Sequence, residues 1–569
     1  MAGGIMQLVS AGQQNIILNG NPSKTFFKTT FAKYTNFGLQ KFNINFEGSK
    51  TLRLTDESKF TFKIPRYADL LMDAYLSIEL PNIWSPIMPP VSASGETTNE
   101  NNNNQWVPYE FRWIENLGAK MISKITITCG NSTLQEYSGD YLLAAVQRDF
   151  TKDKKELFDE MIGNTSEIND PANANLRVNS YPSAYYDETN PQPGPEPSIH
   201  GRILYIPLNS WFGLKSQAAF PLAALQYNEL KIEVTLRPIN ELFQIRDVFD
   251  PNNDFPYVAP NFNAWYMQFY RFLQPPPTVE INSPSIYTDV RTLWNTNIHL
   301  NCTYGFLSNE EQRKFAISDQ QYLIKQVHEQ IFYNVTGANK VKLDSLGMVS
   351  NWLYYFQRSD VNLRNEWSNY TNWPYNYLPF NVIPAPVKGE YIVYKTDPSG
   401  AIIPVTIGPG INPDGRLTGW AITPPYTKAN EKNILVTMGI LLDGSYRENL
   451  QAAGIFNYIE KYVRTTGNAP PGLYCYNFSI NSNNANLQPS GAQNMNRFTQ
   501  IELEFTTTIP TLDPLAQSLT ICDPTTGEVV GINKPTWRIY DYNYNMYLFE
   551  ERINFVTFMG GNCGLTYAT

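Results

Sequence analysis

A two-residue alternation of apolar and polar side chains recurs along most of this chain and limits the folds that it can adopt. Between Leu230 and Leu236, for example, aliphatic residues alternate with Lys231, Glu233 and Thr235. Such a period places one face of a β-strand in a core and the other outside it. The same pattern recurs at 42–46, 60–64, 74–80, 124–129 and 203–206, and again at 298–304, 435–442, 474–480, 501–507, 537–549 and 554–559.

The length of the chain predicts more than one domain. A single hydrophobic core usually stops growing at about 250 to 300 residues, and this chain has 569. Aromatic residues make up 14% of it and 40 residues are proline, a combination typical of short strands separated by turns. We therefore predict an all-β protein in which the second half repeats the architecture of the first.

A few helices interrupt this pattern. Apolar residues at helical spacing predict one helix that follows Gly139 and Asp140 and ends before Gly163. A second is predicted near Glu310 to Ala316. Long polar or proline-rich segments at 81–108, 165–198 and 370–433 predict loop insertions, which sheets tolerate at their ends. The residues that define the first helix are Leu143, Val146, Phe150, Leu157 and Met161, supported by the pairs Lys152–Glu156 and Lys155–Asp159.

Charge and cysteine content argue against several classes of function. The formal net charge is -9 and no run of Lys and Arg is present, so direct sequence-specific binding of nucleic acid is not predicted. The five cysteines show no CxxC spacing and no disulfide framework. The beginning of the chain lacks a cationic signal region, and no window approaches 18 consecutive apolar residues.

No motif in the sequence predicts a catalytic, cofactor-binding or metal site. His200, His299 and His328 lack the neighbours that a zinc cluster requires. The series Asp541, Asn543, Asn545 opens like a calcium loop, but Met546 replaces the required Gly. Gly408 and Gly410 are interpreted as a turn because Pro413 stands where a dinucleotide motif needs its third Gly. An acidic pair that only the fold would bring together is left open.

A cluster of aromatic residues leaves two interpretations open. Such rings can stack on sugars or on a partner protein, because they combine apolar area with a polar tip. Packing within the core and its loops is the alternative interpretation, and it is favoured. The cluster comprises Trp352, Tyr354, Tyr355, Phe356, Trp367, Tyr370, Trp373, Tyr375 and Tyr377.

Several separated segments resemble the double jelly-roll major capsid proteins of nucleocytoplasmic large DNA viruses. The opening of the chain, residues 1–37, resembles the N-terminal signature of this family, including its Gly20-Asn21-Pro22 turn. Further similar segments follow in the order that the family shows. These are Phe220 to Val234, Glu310 to Val327, Tyr474 to Phe498 around Gln488-Pro489-Ser490-Gly491, and the Gly-rich end at Gly560 to Gly564.

This resemblance implies two tandem eight-stranded jelly-roll β-sandwiches with long loop insertions and a few short helices. It implies an N-terminal arm at 1–24, a first jelly roll at 25–242 and a second at 243–569. It further implies a non-enzymatic, cofactor-free major capsid protein of the virion. Three chains would form a pseudo-hexagonal capsomer of the icosahedral shell, assembled in the host cytoplasm.

The partners implied are other copies of the chain, neighbouring capsomers, and minor capsid and penton proteins. The arm, Met1 to about Pro22, is a candidate for contact with minor capsid proteins or an internal membrane, because it precedes the first strand and mixes apolar residues with Gly, Ser and Gln. Two alternative functions remain. One is a carbohydrate-binding or carbohydrate-active β-sandwich protein, and the other is a viral scaffold protein with the same double jelly roll.

Overall fold

Sixteen strands in a computed structural model build two β-sandwiches of eight strands each. The first contains β1 (Phe37–Asn45), β2 (Ser58–Lys63), β3 (Leu70–Glu79), β4 (Ile122–Cys129), β5 (Ser132–Tyr137), β6 (Ile203–Pro207), β7 (Leu230–Leu236) and β8 (His299–Leu307). The structure describes residues 12–48, 51–85, 87–88, 107–108, 110–178, 180–184, 196–248, 256–276, 287–291, 294, 297–375, 391–396, 398–407, 431–513, 516, 519–533 and 539–567.

The second sandwich repeats the first strand for strand. Its members are β9 (Gln320–Phe332), β10 (Ala338–Lys342), β11 (Met348–Arg358), β12 (Leu435–Leu442), β13 (Ser445–Ala452), β14 (Leu473–Asn477), β15 (Ile501–Thr507) and β16 (Tyr544–Met559). In the first sandwich the sheets run β1-β8-β3-β6 and β2-β7-β4-β5, and in the second they run β9-β16-β11-β14 and β10-β15-β12-β13. Adding eight to each label converts one order into the other, and every pairing is antiparallel. This is the predicted pair of eight-stranded jelly rolls.

Alternation explains why these segments form paired strands. In β7 every second residue is buried, and the strand pairs with β2 on one side and β4 on the other. Its apolar face meets Phe60, Phe62 and Leu76 from the two sheets of the first sandwich in one core. Each buried aliphatic or aromatic side chain of this kind stabilises the fold by about 1.5 to 3 kcal/mol relative to its exposed state.

Strand β8 lies in the first sandwich, although the predicted boundary at 242 assigns it to the second. It pairs with β1 from Phe37–Leu307 to Asn45–His299, and its other edge pairs with β3. Without β8 the sheet would expose the backbone groups of two strands. The prediction placed the boundary at the first break in the alternation, whereas the chain returns to the first sandwich after that break. We propose that the domains divide between Leu307 and Gln320.

Two other predicted elements differ from the structure. The segments 537–549 and 554–559 were predicted as separate strands, whereas β16 is continuous from Tyr544 to Met559; Trp537 lies outside the described residues. The helix predicted up to Gly163 is two helices, Gly139–Asp149 and Lys152–Met161. Phe150 has an extended backbone between them, and its ring lies edge-on to Phe158 at 6.3 Å.

The remaining elements are short. The helices in chain order are α1 (Ile16–Asn19), α2 (Leu117–Met121), α3 (Gly139–Asp149), α4 (Lys152–Met161), α5 (Ser166–Asn169), α6 (Trp211–Leu214), α7 (Asn309–Ile317) and α8 (Glu460–Arg464), the last continuing a π-helix at Ile455–Ile459. The two-residue strand Phe220–Pro221 extends the β1-β8-β3-β6 sheet. The strands Gln493–Asn494 and Asn562–Leu565 extend the β9-β16-β11-β14 sheet. A small sheet joins Phe111–Trp113, Phe243–Arg246 and Tyr257–Val258, and hairpins join Ile87–Met88 with Val107–Pro108, Tyr391–Thr396 with Ile402–Ile407, and Leu519–Cys522 with Val529–Asn533.

Candidate functional site

The contact between the two sandwiches contains buried aromatic and charged groups from both of them. Strand β11 lies at its centre because both of its faces are covered. Trp352, Tyr354 and Phe356 point into the core of the second sandwich. Leu353 and Tyr355 point the other way and join the core of the first sandwich. One strand therefore packs into two cores.

Charged groups from both sandwiches meet beside this strand. Arg148 of α3 forms an ion pair with Glu551 of β16 at 2.8 Å, and neither side chain is exposed. The same guanidinium donates two hydrogen bonds of 2.8 Å to Asp149. The hydroxyl of Tyr141 donates to Glu551 at 2.9 Å, and Lys325 of β9 lies 3.4 Å from its other oxygen. Buried charges of this kind are stable only when paired and hydrogen-bonded.

The pKa values show which charge state this cluster favours. Burial would raise the pKa of Glu551, but the charges of Arg148 and Lys325 outweigh it and hold that pKa below its ordinary value. Burial would lower the pKa of Arg148, and Asp149 and Glu551 instead raise it well above the usual range. Burial lowers the pKa of Lys325, and Glu551 only partly opposes the shift. Arg148 and Glu551 are therefore both ionised near neutral pH.

A second buried cluster joins the sandwiches nearer their loops. The ammonium of Lys120 lies within an ion pair with Asp140 and donates to the hydroxyl of Tyr370 at 3.3 Å. Arg237 pairs with the other oxygen of Asp140 at 2.9 Å. Burial would raise the pKa of Asp140, but Lys120 and Arg237 keep it below its ordinary value. Because Tyr370 belongs to the second sandwich, this cluster also spans the contact.

The long loops of both sandwiches leave the same end of the molecule. Neighbouring strands are antiparallel, so the connections that follow odd-numbered strands gather at one end. Contacts place those of the two sandwiches side by side: the indole of Trp367 donates to the carbonyl of Glu241 at 2.9 Å, and Asn116 donates to Ser368 at 3.0 Å. The described parts of the connections at 80–121, 138–202, 237–298 and 359–434 form what we call the loop end.

The N-terminal arm lies apart from both sandwiches. Every described residue from 12 to 36 is largely exposed or intermediate, and β1 begins only at Phe37. Several of its large apolar side chains are almost entirely uncovered. They include Ile17 at 85%, Leu18 at 87%, Phe26 at 90%, Phe27 at 100% and Phe31 at 88% exposure. A soluble chain rarely leaves such groups open without a partner surface.

The residues considered as sites in the sequence are placed as follows. Among the described residues, no three His, Cys, Asp or Glu side chains are grouped as a metal ion would require, and no helix is long and apolar enough to cross a membrane. Trp352, Tyr354, Tyr355 and Phe356 are buried in β11, and Tyr544 and Tyr547 belong to β16. Tyr377, Gly408, Gly410 and Pro413 lie outside the described residues.

Sequence reasoning missed the buried charge clusters. Arg148, Lys325 and Glu551 are separated by more than 150 positions, so no local motif joins them. One signal was present: Glu550, Glu551 and Arg552 interrupt a run of aromatic and aliphatic residues within what is a single strand. A charged group in the middle of a buried strand requires a partner from elsewhere in the fold.

Comparisons with known proteins match both halves of the chain. The family model described as "Major capsid protein N-terminus" matches residues 25–271. The model described as "Large eukaryotic DNA virus major capsid protein" matches residues 311–559. Together the two models account for most of the chain, and the gap between them contains β8.

Individual relatives agree with these models. The major capsid protein of Phaeocystis pouchetii virus is 24% identical over the whole length of both chains. That of Chrysochromulina ericina virus is 28% identical over 60% of this chain, and the match spans about half, 55%, of that relative. A crystal structure of PBCV-1 VP54, fitted into a reconstruction of the virophage Sputnik, superposes with a TM-score of 0.58 at 18% identity, covering 96% of this chain and all of the other.

Proposed function

This chain belongs to the major capsid proteins of large eukaryotic DNA viruses, and we propose that three copies of it associate into a pseudo-hexagonal capsomer that tiles an icosahedral shell. Three chains with two sandwiches each supply six similar units. Such an assembly has only threefold symmetry but a hexagonal outline. It can therefore pack against six neighbours.

The observation that supports this proposal is the buried contact between two sandwiches of identical strand order. Tiling requires the two sandwiches of one chain to keep a fixed relative position. Two clusters join them: Arg148 with Glu551, which are fully buried, and Lys120 with Asp140 and Tyr370, which are largely buried. Together with Tyr355, which packs into the first core, they fasten the pair as one unit.

We propose a structural role without catalysis. The charged side chains that the fold brings together pair with one another inside the contact between the sandwiches. A carbohydrate-binding protein would need aromatic rings open to a sugar, whereas the rings of Trp352, Tyr354 and Tyr355 are at most 1% exposed. The scaffold alternative would use the same fold, and it differs in leaving the particle before maturity.

The exposed arm is the candidate for contacts beyond the capsomer. We propose that residues 1–24 bind minor capsid proteins or an internal membrane, and that the exposed apolar side chains up to residue 36 extend this contact. Neighbouring capsomers and penton proteins would be the other partners of the shell. Assembly in the host cytoplasm is part of the same proposal.

Native mass measurement with negative-stain imaging tests the proposal. Three copies of a 64.9 kDa chain give about 195 kDa, and the expected particle has a hexagonal outline. A chain that stays at the monomer mass under virion-like buffer conditions would contradict it. Proteomic quantification of purified mature virions separates shell protein from scaffold, because a scaffold would be absent.

A further inference from the structure

We propose that the helical segment 453–464 of one copy binds the outer face of the β1-β8-β3-β6 sheet of a second copy. This contact would repeat between chains the contact that already joins the two sandwiches within one chain. The inference rests on the proposed trimer and names the surfaces that hold it together. It is argued from the correspondence between the two sandwiches.

The contact within one chain has a helix on one side and a sheet on the other. On the side of the first sandwich, β5 is followed directly by α3, and both touch the second sandwich. The backbone amide of Ser138 donates to Glu329 at 2.8 Å, and the side chain of Gln326 donates to the carbonyl of Leu134 at 3.2 Å. On the side of the second sandwich, the outer face of β9-β16-β11 receives them.

The second sandwich carries the same helical edge, and large side chains on it are exposed among the residues that the structure describes. Strand β13 corresponds to β5, and the segment 453–464 follows it as α3 follows β5. Tyr446 and Leu450 of β13 are 46% and 48% exposed. In the helical segment Tyr458, Ile459, Tyr462 and Val463 are 59%, 55%, 91% and 61% exposed. Their spacing of one, three and one residues places them on one side of a helix.

The first sandwich carries the matching sheet face, and large side chains on the two edge strands of that face are exposed. In the second sandwich the residues of this face, Leu353, Tyr355 and Glu551, are at most 1% exposed because α3 and its surroundings cover them. The corresponding face of the first sandwich presents Leu39 of β1 at 52% exposure, and Ile203 and Tyr205 of β6 at 49% and 43%. Within the described part of the chain, the two sandwiches thus leave one helical edge and one sheet face without a partner.

A second copy fits both open surfaces. Within one chain, the helical edge of the first sandwich packs against the sheet face of the second. The two sandwiches thus use different surfaces, which makes this a head-to-tail contact. The same kind of contact can form between chains: the exposed helical edge of the second sandwich of one chain would pack against the exposed sheet face of the first sandwich of the next. Head-to-tail contacts close into a ring when the rotation permits, and six sandwiches from three chains complete it. In such a ring no helical edge remains exposed.

Photo-cross-linking in the assembled protein tests the contact directly. A benzophenone amino acid would replace Tyr462 in the full-length chain, and trimers would be mixed from isotopically light and heavy chains. We expect cross-links between light and heavy chains from position 462 to peptides that contain 37–45, 203–207 or 299–307. The same probe at Leu157, which is 67% exposed on α4, is the matched control and should give no cross-links to that sheet.

Charge substitution supplies the second measurement. Tyr462→Glu and Tyr205→Glu should each raise the dissociation constant of the trimer at least about tenfold, as expected for an aromatic anchor at an interface, while Leu157→Glu should leave it unchanged. Because these side chains are exposed, the unfolding midpoint of the dissociated chain should stay within error of the unsubstituted protein. Trimers that survive both substitutions, or cross-links that map elsewhere, would overturn this inference and leave the proposed capsomer intact. A wild-type chain that never forms trimers would overturn both.

Discussion

Arg148 and Glu551 form an ion pair across the contact between the two sandwiches, with 2.8 Å between nitrogen and oxygen and no solvent exposure of either side chain. Arg148 comes from a helix of the first sandwich and Glu551 from the last strand of the second. A pair in this position does more than add stability. It favours this relative position of the sandwiches, because any other position would separate two buried opposite charges.

Removing one member of this pair should therefore be costly. We expect Arg148→Met to lower the free energy of unfolding by about 3 to 5 kcal/mol, the usual cost of removing one partner of a buried ion pair. Urea unfolding followed by tryptophan fluorescence measures it. The double substitution Arg148→Met with Glu551→Leu should recover part of the loss. Lys152→Met, which removes an exposed helix pair with Glu156, is the control and should change little; an equal loss there would contradict the explanation.

Acid should weaken the contact through the same carboxylate. The pKa of Glu551 is lowered in the folded chain from its ordinary 4.5. Its stabilising contribution is thus complete above about pH 4.5 and is lost as pH falls toward the folded pKa. The pKa values of Arg148 and Tyr141, which face it, are raised above their ordinary values, so both groups stay protonated in that range.

The test is the free energy of unfolding at several values between pH 6 and pH 3. We expect Glu551→Gln to be less stable than the unsubstituted chain at pH 6, and the difference should shrink as pH falls. Acidic groups elsewhere, such as Asp140 with its own lowered pKa, contribute equally to both proteins and cancel. A difference that is constant with pH would show that Glu551 is not ionised in the fold.

Adjacent tyrosines of β11 should have separable effects. Tyr355 stacks on Tyr547 at 4.9 Å and meets Tyr370 at 4.4 Å between ring centroids, within the contact. Tyr354 stacks on Tyr474 at 5.4 Å inside the second sandwich. Each change to Ala should cost about 3 to 5 kcal/mol. For Tyr355→Ala, calorimetry should show two resolved transitions, because the weakened contact lets the sandwiches unfold separately. For Tyr354→Ala, the second sandwich should unfold at a lower temperature than in the unsubstituted chain.

The sequence predicted the strands whose apolar residues recur at every second position. The bounds of β7, β12 and β15 agree with the prediction, and β7 shows the strict alternation of buried and half-buried residues on which the prediction rests. Strand β11 escaped prediction because both of its faces are covered and the alternation disappears. Strand β16 was divided in two because its charged centre, Glu550 to Arg552, resembles a break, although the fold supplies partners from another domain.

The contact between the sandwiches could not be predicted for the same reason. Its residues depend on where α3 and β16 meet, and neither segment contains a motif that specifies the other. The assignment of β8 to the wrong sandwich has a related cause. The local pattern identifies a strand but does not say which sheet it joins. That depends on which strand edges are free to pair, and β8 pairs with the edges of β1 and β3, more than 200 residues earlier in the chain.

Deleting residues 1–24 should separate capsomer formation from shell formation. The described part of this segment, from residue 12, packs into neither core, and Ile17 and Leu18 are 85% and 87% exposed. We therefore expect the truncated chain to keep its unfolding midpoint and its trimer mass. Shells should nevertheless form poorly, as measured by electron microscopy of particles from cells that express the capsid components. Replacing Ile16, Ile17 and Leu18 by Ser is the milder variant and should act in the same direction, because apolar area is what the arm offers a partner. Normal shell yield from both variants would refute the proposed role of the arm, whereas loss of the trimer would show that the arm belongs to the capsomer itself.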